Sequence, residues 1–330
     1  MTGRLMLIPR RLFLRLAGAA AVSCALAWGA TAQVYPSRPL RWIVPYPAGG
    51  TTDLIARLMG QWLTEHLGQP VIIENKPGGG TNIGVQAVVN APADGYTLLF
   101  VVATNAINQS LYKSLPFNFQ RDIAPVAGLA ELPLVMAVNP KLPAASVAEL
   151  VAFAKAHPGE IRIASFGART ISHLAIELFK SAAGIDVLHV PYAGGSALIT
   201  DLFTGRIEAA VDALPNSLPH IRDGGARALA IFPLARTPVL PDVPTMSESI
   251  AGLEVSTWSG VGVPSGTPAD MIERLNREIN AGLADAGLRA RFAEVGAVPL
   301  QLTPDELRAR ITRDVEKWAK VTKLAGIEPY

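Results

Sequence analysis

Apolar positions along the chain follow two rhythms, short unbroken runs and stripes recurring every three or four residues, and the two alternate. Residues 40–46 (LRWIVPY) read as a strand ended by Pro47, Ala48, Gly49 and Gly50. Leu54, Ile55, Leu58, Met59, Trp62 and Leu63 then recur at helical spacing, with Gly68 as the stop. The alternation continues as strand 71–74, helix 82–90, buried strand 97–103 (TLLFVVA) and short helix 106–114. A second series opens at 132–138 (LPLVMAV), followed by helix 146–156, strand 161–165, helix 170–183, strand 187–190, helix 196–204 and strands 207–211 and 227–231. Residues 253–263 are a further extended run, and three amphipathic helices close the chain, the last with Leu307, Ile311, Val315 and Trp318 on one stripe. Strands alternating with helices predict βαβ units with parallel strands, grouped in two α/β lobes. Pro-rich 233–244 is expected as an ordered surface loop, and no low-complexity tether separates the lobes.

The first 32 residues fall outside this rhythm. Arg4, Arg10, Arg11 and Arg15 precede an apolar run of thirteen residues, 16–28, and Ala30-Thr31-Ala32 follows as a cleavage site that exposes Gln33. A bilayer needs about 20 apolar residues, so residues 1–32 read as an export signal and not as an anchor. Arg10-Arg11 inside Pro9–Arg15 is similar to a twin-arginine signal, and the ordinary secretory route stays open beside it. Cys24, the chain's one cysteine, lies within the run, so cleavage leaves a mature chain without thiol chemistry or Cys-ligated metal. A lipid-modified Cys24 fits poorly, because Ala21 stands where an apolar residue such as Leu is needed.

Composition adds two exclusions. With 50% apolar and 17% charged residues, the chain buries a core and is not disordered. The formal charge of +2 includes the four arginines of the first 32 residues, where no acid offsets them, so the remainder is mildly acidic. That argues against nucleic acid as a partner.

Candidate chemistry sits in four turns. In open α/β sheets, ligands bind beyond the carboxyl ends of strands, where helix N-termini offer free N–H groups and partial positive charge. The first turn is Tyr46-Pro47-Ala48-Gly49-Gly50-Thr51-Thr52-Asp53. The second is Thr104-Asn105. The third is Ser165-Phe166-Gly167-Ala168-Arg169-Thr170, leading into a helix with His173, and the fourth is Pro191-Tyr192-Ala193-Gly194-Gly195-Ser196. Each is also readable as a plain tight turn, and Asp53 as a helix cap. As a ligand contact, Asp53 suits an amine, hydroxyl or water, since it repels a bare carboxylate. Arg169 is the formal cation of the set and suits bidentate pairing with a carboxylate.

Enzyme signatures are missing from the sequence. Residues 78–84 (GGGTNIG) lack the third glycine of G-x-G-x-x-G and the Lys-Ser/Thr pair of a P-loop, so they read as a turn. No G-x-S-x-G or H-E-x-x-H occurs. His173 and Glu177 share a helix face, but two residues make no metal site. Asp212, after a buried strand, is readable as a general base, a ligand hydrogen-bond partner or a cap. No catalytic residue, metal or cofactor is assigned.

Several motifs carry a resemblance from Tyr35 to the C-terminus. They are Tyr35-Pro36-Ser37-Arg38-Pro39, Val44-Pro45-Tyr46-Pro47-Ala48-Gly49-Gly50 with Asp53, Glu74-Asn75-Lys76-Pro77-Gly78-Gly79-Gly80 and Pro92-Ala93-Asp94-Gly95-Tyr96-Thr97-Leu98. His189-Val190-Pro191-Tyr192, Leu240-Pro241-Asp242-Val243-Pro244-Thr245 and Pro264-Ser265-Gly266-Thr267-Pro268 complete the set. The chain resembles the periplasmic solute-binding proteins of tripartite tricarboxylate transporters, also called Bug receptors. The resemblance implies a two-lobed, type II Venus-flytrap fold that closes on a small organic carboxylate and delivers it to an integral-membrane permease. It further implies a monomeric periplasmic receptor with lobe one at 33–134 plus 256–330, lobe two at 135–255, and hinges within 132–138 and 254–262. The carboxylate pocket is then the first turn working with the third, partly through ordered waters. A sensory receptor signalling to a membrane kinase stays open, as does a small-acid hydrolase or isomerase on the same scaffold using Asp212 or His173.

The third turn departs from the family pattern S-x-G-x-G-T-x-x-H-L, with Ala168 and Arg169 in place of x-G, and Ala193 stands where lysine is common. Arg169 is therefore expected to meet a second ligand carboxylate or to block the usual pose, and Arg169→Gly to change affinity. The ligand stays open among di- and tricarboxylates, acidic amino acids, aromatic acids and nicotinate-like compounds. Phe166 and Trp258 are weighed as walls for an aromatic body.

Overall fold

The computed structural model describes residues 35–233 and 235–324, so the export signal expected at 1–32, with Cys24, lies outside the described residues. Residues 35–37 group with the preceding segment, and everything from Arg38 onward forms a second compact unit, to which the following description applies.

Two sheets organise this unit. The first has the order β11-β4-β10-β3-β1-β2, with β1 (Leu40–Val44), β2 (Val71–Asn75), β3 (Thr97–Val102), β4 (Ile123–Glu131), β10 (Trp258–Pro264) and β11 (Val298–Pro299). The second runs β7-β6-β8-β5-β9, with β5 (Leu134–Val138), β6 (Arg162–Ser165), β7 (Leu188–Pro191), β8 (Ala209–Ala213) and β9 (Arg227–Ile231). Central strands read as continuous apolar runs because both faces are covered: every residue of β3, β5 and β10 is buried. The covering helices are α1 (Thr51–Leu67), α2 (Asn82–Val89), α3 (Ala103–Leu111), α4 (Val147–Ala156), α5 (Ile171–Ala183), α6 (Gly195–Thr204), α7 (Leu214–Arg222), α8 (Ala269–Ala284), α9 (Ala286–Glu294) and α10 (Pro304–Leu324), with single turns at Phe119–Asp122 and Met246–Ser249. On α1 the buried stripe is Ile55, Leu58, Met59 and Leu63, whereas Leu54, expected on it, is 36% exposed.

Strand register sets the turns side by side. In the first sheet Ile43 of β1 lies opposite Glu74 of β2 and Leu99 of β3, all parallel, so these carboxyl ends are level. In the second, Ser165 pairs with Pro191 and Val211, again in parallel. The chain crosses between sheets twice, from β4 to β5 and from β9 to β10. The crossings are tied together where Leu132 N–H donates to the Thr257 carbonyl at 2.9 Å. Cores lie on both sides of these crossings. Trp258, Val101, Phe119 and Leu307 pack with the first sheet, and Met136, Ile163, Phe179 and Phe232 with the second. Ile107, Leu111 and Trp318, from α3 and α10, join the second core, so apolar packing is continuous behind the crossings.

Three expectations need correction. The second series is not a run of parallel strands, because β5 is antiparallel to both β8 and β9, as β10 is to β3 and β4. Strand β4 has no signature in the pattern, as Pro125 and Gly128 interrupt it. Gly128 is required by close approach: a Cβ there would lie 2.3 Å from the Leu300 carbonyl oxygen. Helix α7 was also missed, since it carries Pro215 at its start and Pro219 inside.

Candidate functional site

A cavity of about 230 Å3 opens between the sheets where their level strand ends face each other. Tyr46, Pro47, Gly50, Thr51, Thr52, Val102 and Thr104 line it from the first sheet. Phe166, Ile171, Asp212, Ala213 and residues 193–197 line it from the second, with Leu132 and Thr257 on the crossings. The two sides touch. The Tyr46 and Phe166 rings meet edge-on at 6.0 Å and 80°, and Ile171 N–H reaches Thr104 Oγ1 at 3.4 Å.

Helices α1, α5, α6 and α7 begin on this cavity without a side-chain cap, at Gly50, Thr170, Gly194 and Ala213, and α3 begins there too, with the N–H of its N-cap Val102 taken by Asn105 Oδ1. Starts away from the cavity differ among themselves: Ser146 Oγ accepts Glu149 N–H on α4 and Asp285 Oδ1 accepts Leu288 N–H on α9, whereas α2 at Thr81 and α8 at Pro268 also lack a side-chain cap. Free N–H groups and partial positive charge thus converge on one space. Thr51 Oγ1, at the head of α1, is buried without a hydrogen-bond partner, in a residue only 9% exposed.

In the first turn, Asp53 does not line the cavity. Its Oδ2 accepts Gly49 N–H at 3.0 Å and Arg57 Nε at 2.9 Å, and its Oδ1 accepts Arg57 Nη2 at 3.0 Å and Asn75 Nδ2 at 3.1 Å. Burial opposes its ionisation, but bonds from Arg57, Gly49 and Asn75 together hold the carboxyl below its usual range. Asp53 is therefore a brace that fixes the turn, and it stands behind the cavity wall and not on it. Ala48 and Gly49 lie on the outer side of the same turn, exposed, while Tyr46, Gly50 and Thr51 face inward. Burial pushes the Tyr46 hydroxyl up to about 12, with Thr104 Oγ1 at 3.5 Å partly offsetting it.

In the second turn Thr104 lines the cavity but Asn105 does not. Asn105 Oδ1 accepts Val102 N–H at 2.8 Å and its Nδ2 donates to Thr81 Oγ1 at 2.8 Å, so it holds the start of α3. The helix begins at Ala103, three residues earlier than the apolar spacing predicts.

The third turn consumes its own polar atoms. Ser165 Oγ donates to the Gly167 carbonyl at 3.0 Å and lies 2.7 Å from His189 Nε2, and Thr170 Oγ1 donates to the same carbonyl at 2.8 Å. Arg169 holds φ +64°, its N–H bonds His173 Nδ1 at 3.1 Å, and its guanidinium lies 5.0 Å from the centre of the Tyr112 ring. Ser165, Gly167, Ala168, Arg169, Thr170 and His173 are all absent from the cavity wall, which this turn reaches only through Phe166 and Ile171. Arg169, expected at the ligand, stands off this wall with its guanidinium over the Tyr112 ring. Of the two aromatics weighed as walls, Phe166 is one, whereas Trp258 is fully buried and donates Nε1–H to Asp314 Oδ2 at 2.6 Å.

In the fourth turn Gly194 lines the cavity, but Tyr192 turns away to donate its hydroxyl to Asp201 Oδ2 at 2.7 Å. Gly194 adopts φ 144° and ψ 171°, a region open to glycine alone, and a Cβ there would lie 3.2 Å from the Pro47 ring. Asp212 does line the cavity. Its Oδ1 accepts Ala213 N–H at 2.8 Å, and its Oδ2 accepts Asn216 Nδ2 at 2.6 Å and Ser217 Oγ at 2.9 Å. Burial raises its pKa in spite of these donors. Sequence reasoning missed Val102, Leu132, Ile171, Ala197, Ala213 and Thr257. Ile171 and Ala197 follow turns already singled out, Val102 and Ala213 end buried strands, and Leu132 and Thr257 face the cavity because of where the two crossings lie.

Chemically the wall offers hydroxyls, amides and hydrocarbon. No histidine among the described residues lines it, and both oxygens of Asp212 are engaged, so no nucleophile–base pair is assembled. Away from the wall, ligand atoms of His173, Glu177 and His189 lie within 4.8 Å of one another. The two imidazoles are stacked at 4.0 Å and 9°. In-plane lone pairs of parallel rings do not converge on an ion at about 2.0 Å, so this cluster is not arranged to hold a metal. Burial, then the neighbouring His173 and Lys180, lowers the His189 pKa to about 3.

Comparison with known proteins agrees with this geometry. Residues 55–327 match the family described as "Tripartite tricarboxylate transporter family receptor". Protein BugT of Bordetella pertussis is 39% identical over 299 residues, 90% of this chain and 92% of the relative. Among solved structures, R. palustris Rpa4515 with adipate has a TM-score of 0.87 at 34% identity, covering 90% of this chain and 100% of that one. MatC from Rhodopseudomonas palustris, with bound malate, has a TM-score of 0.82 at 28% identity, covering 87% and 99%. Among the described residues no helix is long and apolar enough to cross a membrane.

Proposed function

The chain belongs to the tripartite tricarboxylate transporter family of receptors, and on that premise we propose that it is a periplasmic binding protein that captures a small organic carboxylate between its lobes and presents it to membrane permease subunits. The family is one of receptors and not of enzymes. The observation that carries the ligand class is the convergence of four uncapped helix starts on one cavity beside the unpartnered hydroxyl of Thr51. Such starts bind anions without a formal cation. Tyr46, Gly50, Thr51, Thr104, Gly194 and Asp212 form the contact set, while Asp53, Asn105, Ser165 and Thr170 hold the turns in shape. Lobe one comprises 33–134 plus 256–330 and lobe two 135–255, with the tied crossings as hinges. A ligand touching both lobes favours the closed arrangement, which the permease then reads.

A thermal-denaturation screen of the purified protein against small organic acids tests this reading. An acid present at 100 times its dissociation constant stabilises the native state by about 2.7 kcal/mol. If no carboxylate raises the melting temperature, or if mass spectrometry finds an acid converted to product, the receptor reading fails.

A further inference from the structure

Resting on that reading and deepening it, we infer that Asp212 is a proton site: a small organic anion and a proton are captured together, the proton settling on the Asp212 carboxylate beside the ligand. Asp212 lies near the end of β8, on the cavity wall, and is 1% exposed. Its two oxygens are not equivalent. Oδ2 accepts two bonds, from Asn216 Nδ2 at 2.6 Å and Ser217 Oγ at 2.9 Å, which occupy both of its lone pairs. Oδ1 accepts one, from Ala213 N–H at 2.8 Å, and faces the first turn of α6, where a Cβ on Gly195 would lie 3.0 Å from it. Gly195 lines the same cavity, so Oδ1 has a lone pair left for a proton next to a helix start that meets the ligand space.

Charge favours that proton. The starts of α6 and α7 carry about half a positive charge each, and an ionised Asp212 lying against both offsets much of it. No Lys, Arg or His among the described residues lines the cavity, so the wall gives Asp212 no counter-ion. An acid filling a cavity of about 230 Å3 sets its own negative charge against this one. Two like charges about 6 Å apart, at an effective dielectric of about 20, shift a proton equilibrium about a hundredfold toward the neutral form. Burial acts in the same direction, opposed by the bonds from Asn216, Ser217 and Ala213 and by the charge of His220. One O–H bond forms on Oδ1, with its proton drawn from solvent and no change of oxidation state. The repulsion is removed, and an acceptor becomes a donor to the ligand carboxylate, a strong type of hydrogen bond.

Other titratable groups around Asp212 are few. Tyr46, on the same wall, keeps its proton up to about 12. Helix α5, packed on β8, brings His173, whose pKa burial lowers, with Glu177 and Lys180 further along. Helix α7 brings His220, and β6 brings Arg162, paired with Glu208 at the end of the strands away from the cavity. Strand β5 and residues 195–200 of α6 carry none.

Calorimetric titration of the purified protein between pH 5.5 and 8, in buffers of low and high ionisation enthalpy, counts protons taken up with the ligand. The probes are succinate, glutamate, adipate and benzoate, each carried forward if it raises the melting temperature. The expected result is an uptake of at least about 0.2 proton per acid within this range, with affinity falling as pH rises by up to about tenfold per pH unit. Asp212→Asn, a neutral stand-in for the protonated side chain, should bind the same acid with no more uptake than the acid's own protons supply, and with affinity flat in pH. His220→Gln should keep the wild-type uptake. If Asp212→Asn does not fold, infrared difference spectra of the wild type at pH 7 decide, since binding of an ionised acid should bring up the carbonyl band of a neutral carboxyl group. An acid that binds with buffer-independent heat, without that band, or with an uptake that survives Asp212→Asn overturns the inference and leaves the receptor reading standing. Silence from every acid overturns both.

Discussion

The turn from β1 into α1 and the turn from β6 into α5 share one sequence logic, a strand end followed by glycine, hydroxyl residues and a helix, yet they use their polar atoms in opposite ways. The first braces itself from behind with Asp53, Arg57 and Asn75 and leaves Gly50 and Thr51 toward the cavity. The second directs Ser165 and Thr170 at its own Gly167 carbonyl, and leans on His173 and His189. Small, polar turn residues therefore mark where a ligand can approach, but only the accounting of partners separates a wall from its scaffold.

Acid should separate the two turns most. The third turn rests on the stacked histidines, and burial lowers the pKa of both. An unfolded histidine takes its proton near pH 6.5, before the folded ring at about 3 for His189, so stability is full above about 6.5 and falls as pH drops toward 3. Urea unfolding from pH 8 to 4 should show this loss, with a slope of up to about 1.4 kcal/mol per pH unit for each ring that stays neutral in the folded state. His189→Gln should flatten it. An unchanged slope would remove the histidines from the scaffold.

Thr51→Val sharpens the contrast from the other side. It should weaken ligand binding about tenfold, or about 1.4 kcal/mol, while leaving the unliganded protein equally or more stable, since the hydroxyl has no partner to lose. Titration and melting of the same variant check both halves. Thr170→Val should do the reverse, lowering stability by about 1 kcal/mol through the lost bond to Gly167 and moving affinity less than about threefold. The smallest effect belongs to Arg169→Gly. Relief of a positive φ and loss of the Tyr112 contact oppose each other at about 1 kcal/mol each, so affinity should move less than about threefold. A tenfold change would return Arg169 to the ligand.

The alternation of runs and stripes made most helices and strands legible, and with them the places where turns must lie. Strand direction was not legible, because a buried run such as 134–138 looks the same in either sense. Pro125, Gly128, Pro215 and Pro219 hid β4 and α7, where close approach and a proline-tolerant helix start override the pattern. Of the site, the turns were visible, but the facing of each side chain was not. Asp53 and Arg169 carry the charges that draw attention, and both are engaged by neighbours the pattern does not reveal, Asn75 and Tyr112. Leu132, Val102 and Thr257 gave no signal, since their chemistry is that of any core position.

The contact of Pro47 with Gly194 has a kinetic consequence. The proline of one side rests where only a residue without a Cβ leaves room on the other, and both residues line the cavity. On the proposed receptor reading, a bound acid would leave only after that contact parts, and the time it stays would be governed by how often the cleft opens and not by its own desolvation. Ligands of unequal affinity that are held under the same closed contact would then depart at similar rates, and their ranking would be written in how fast each one is caught.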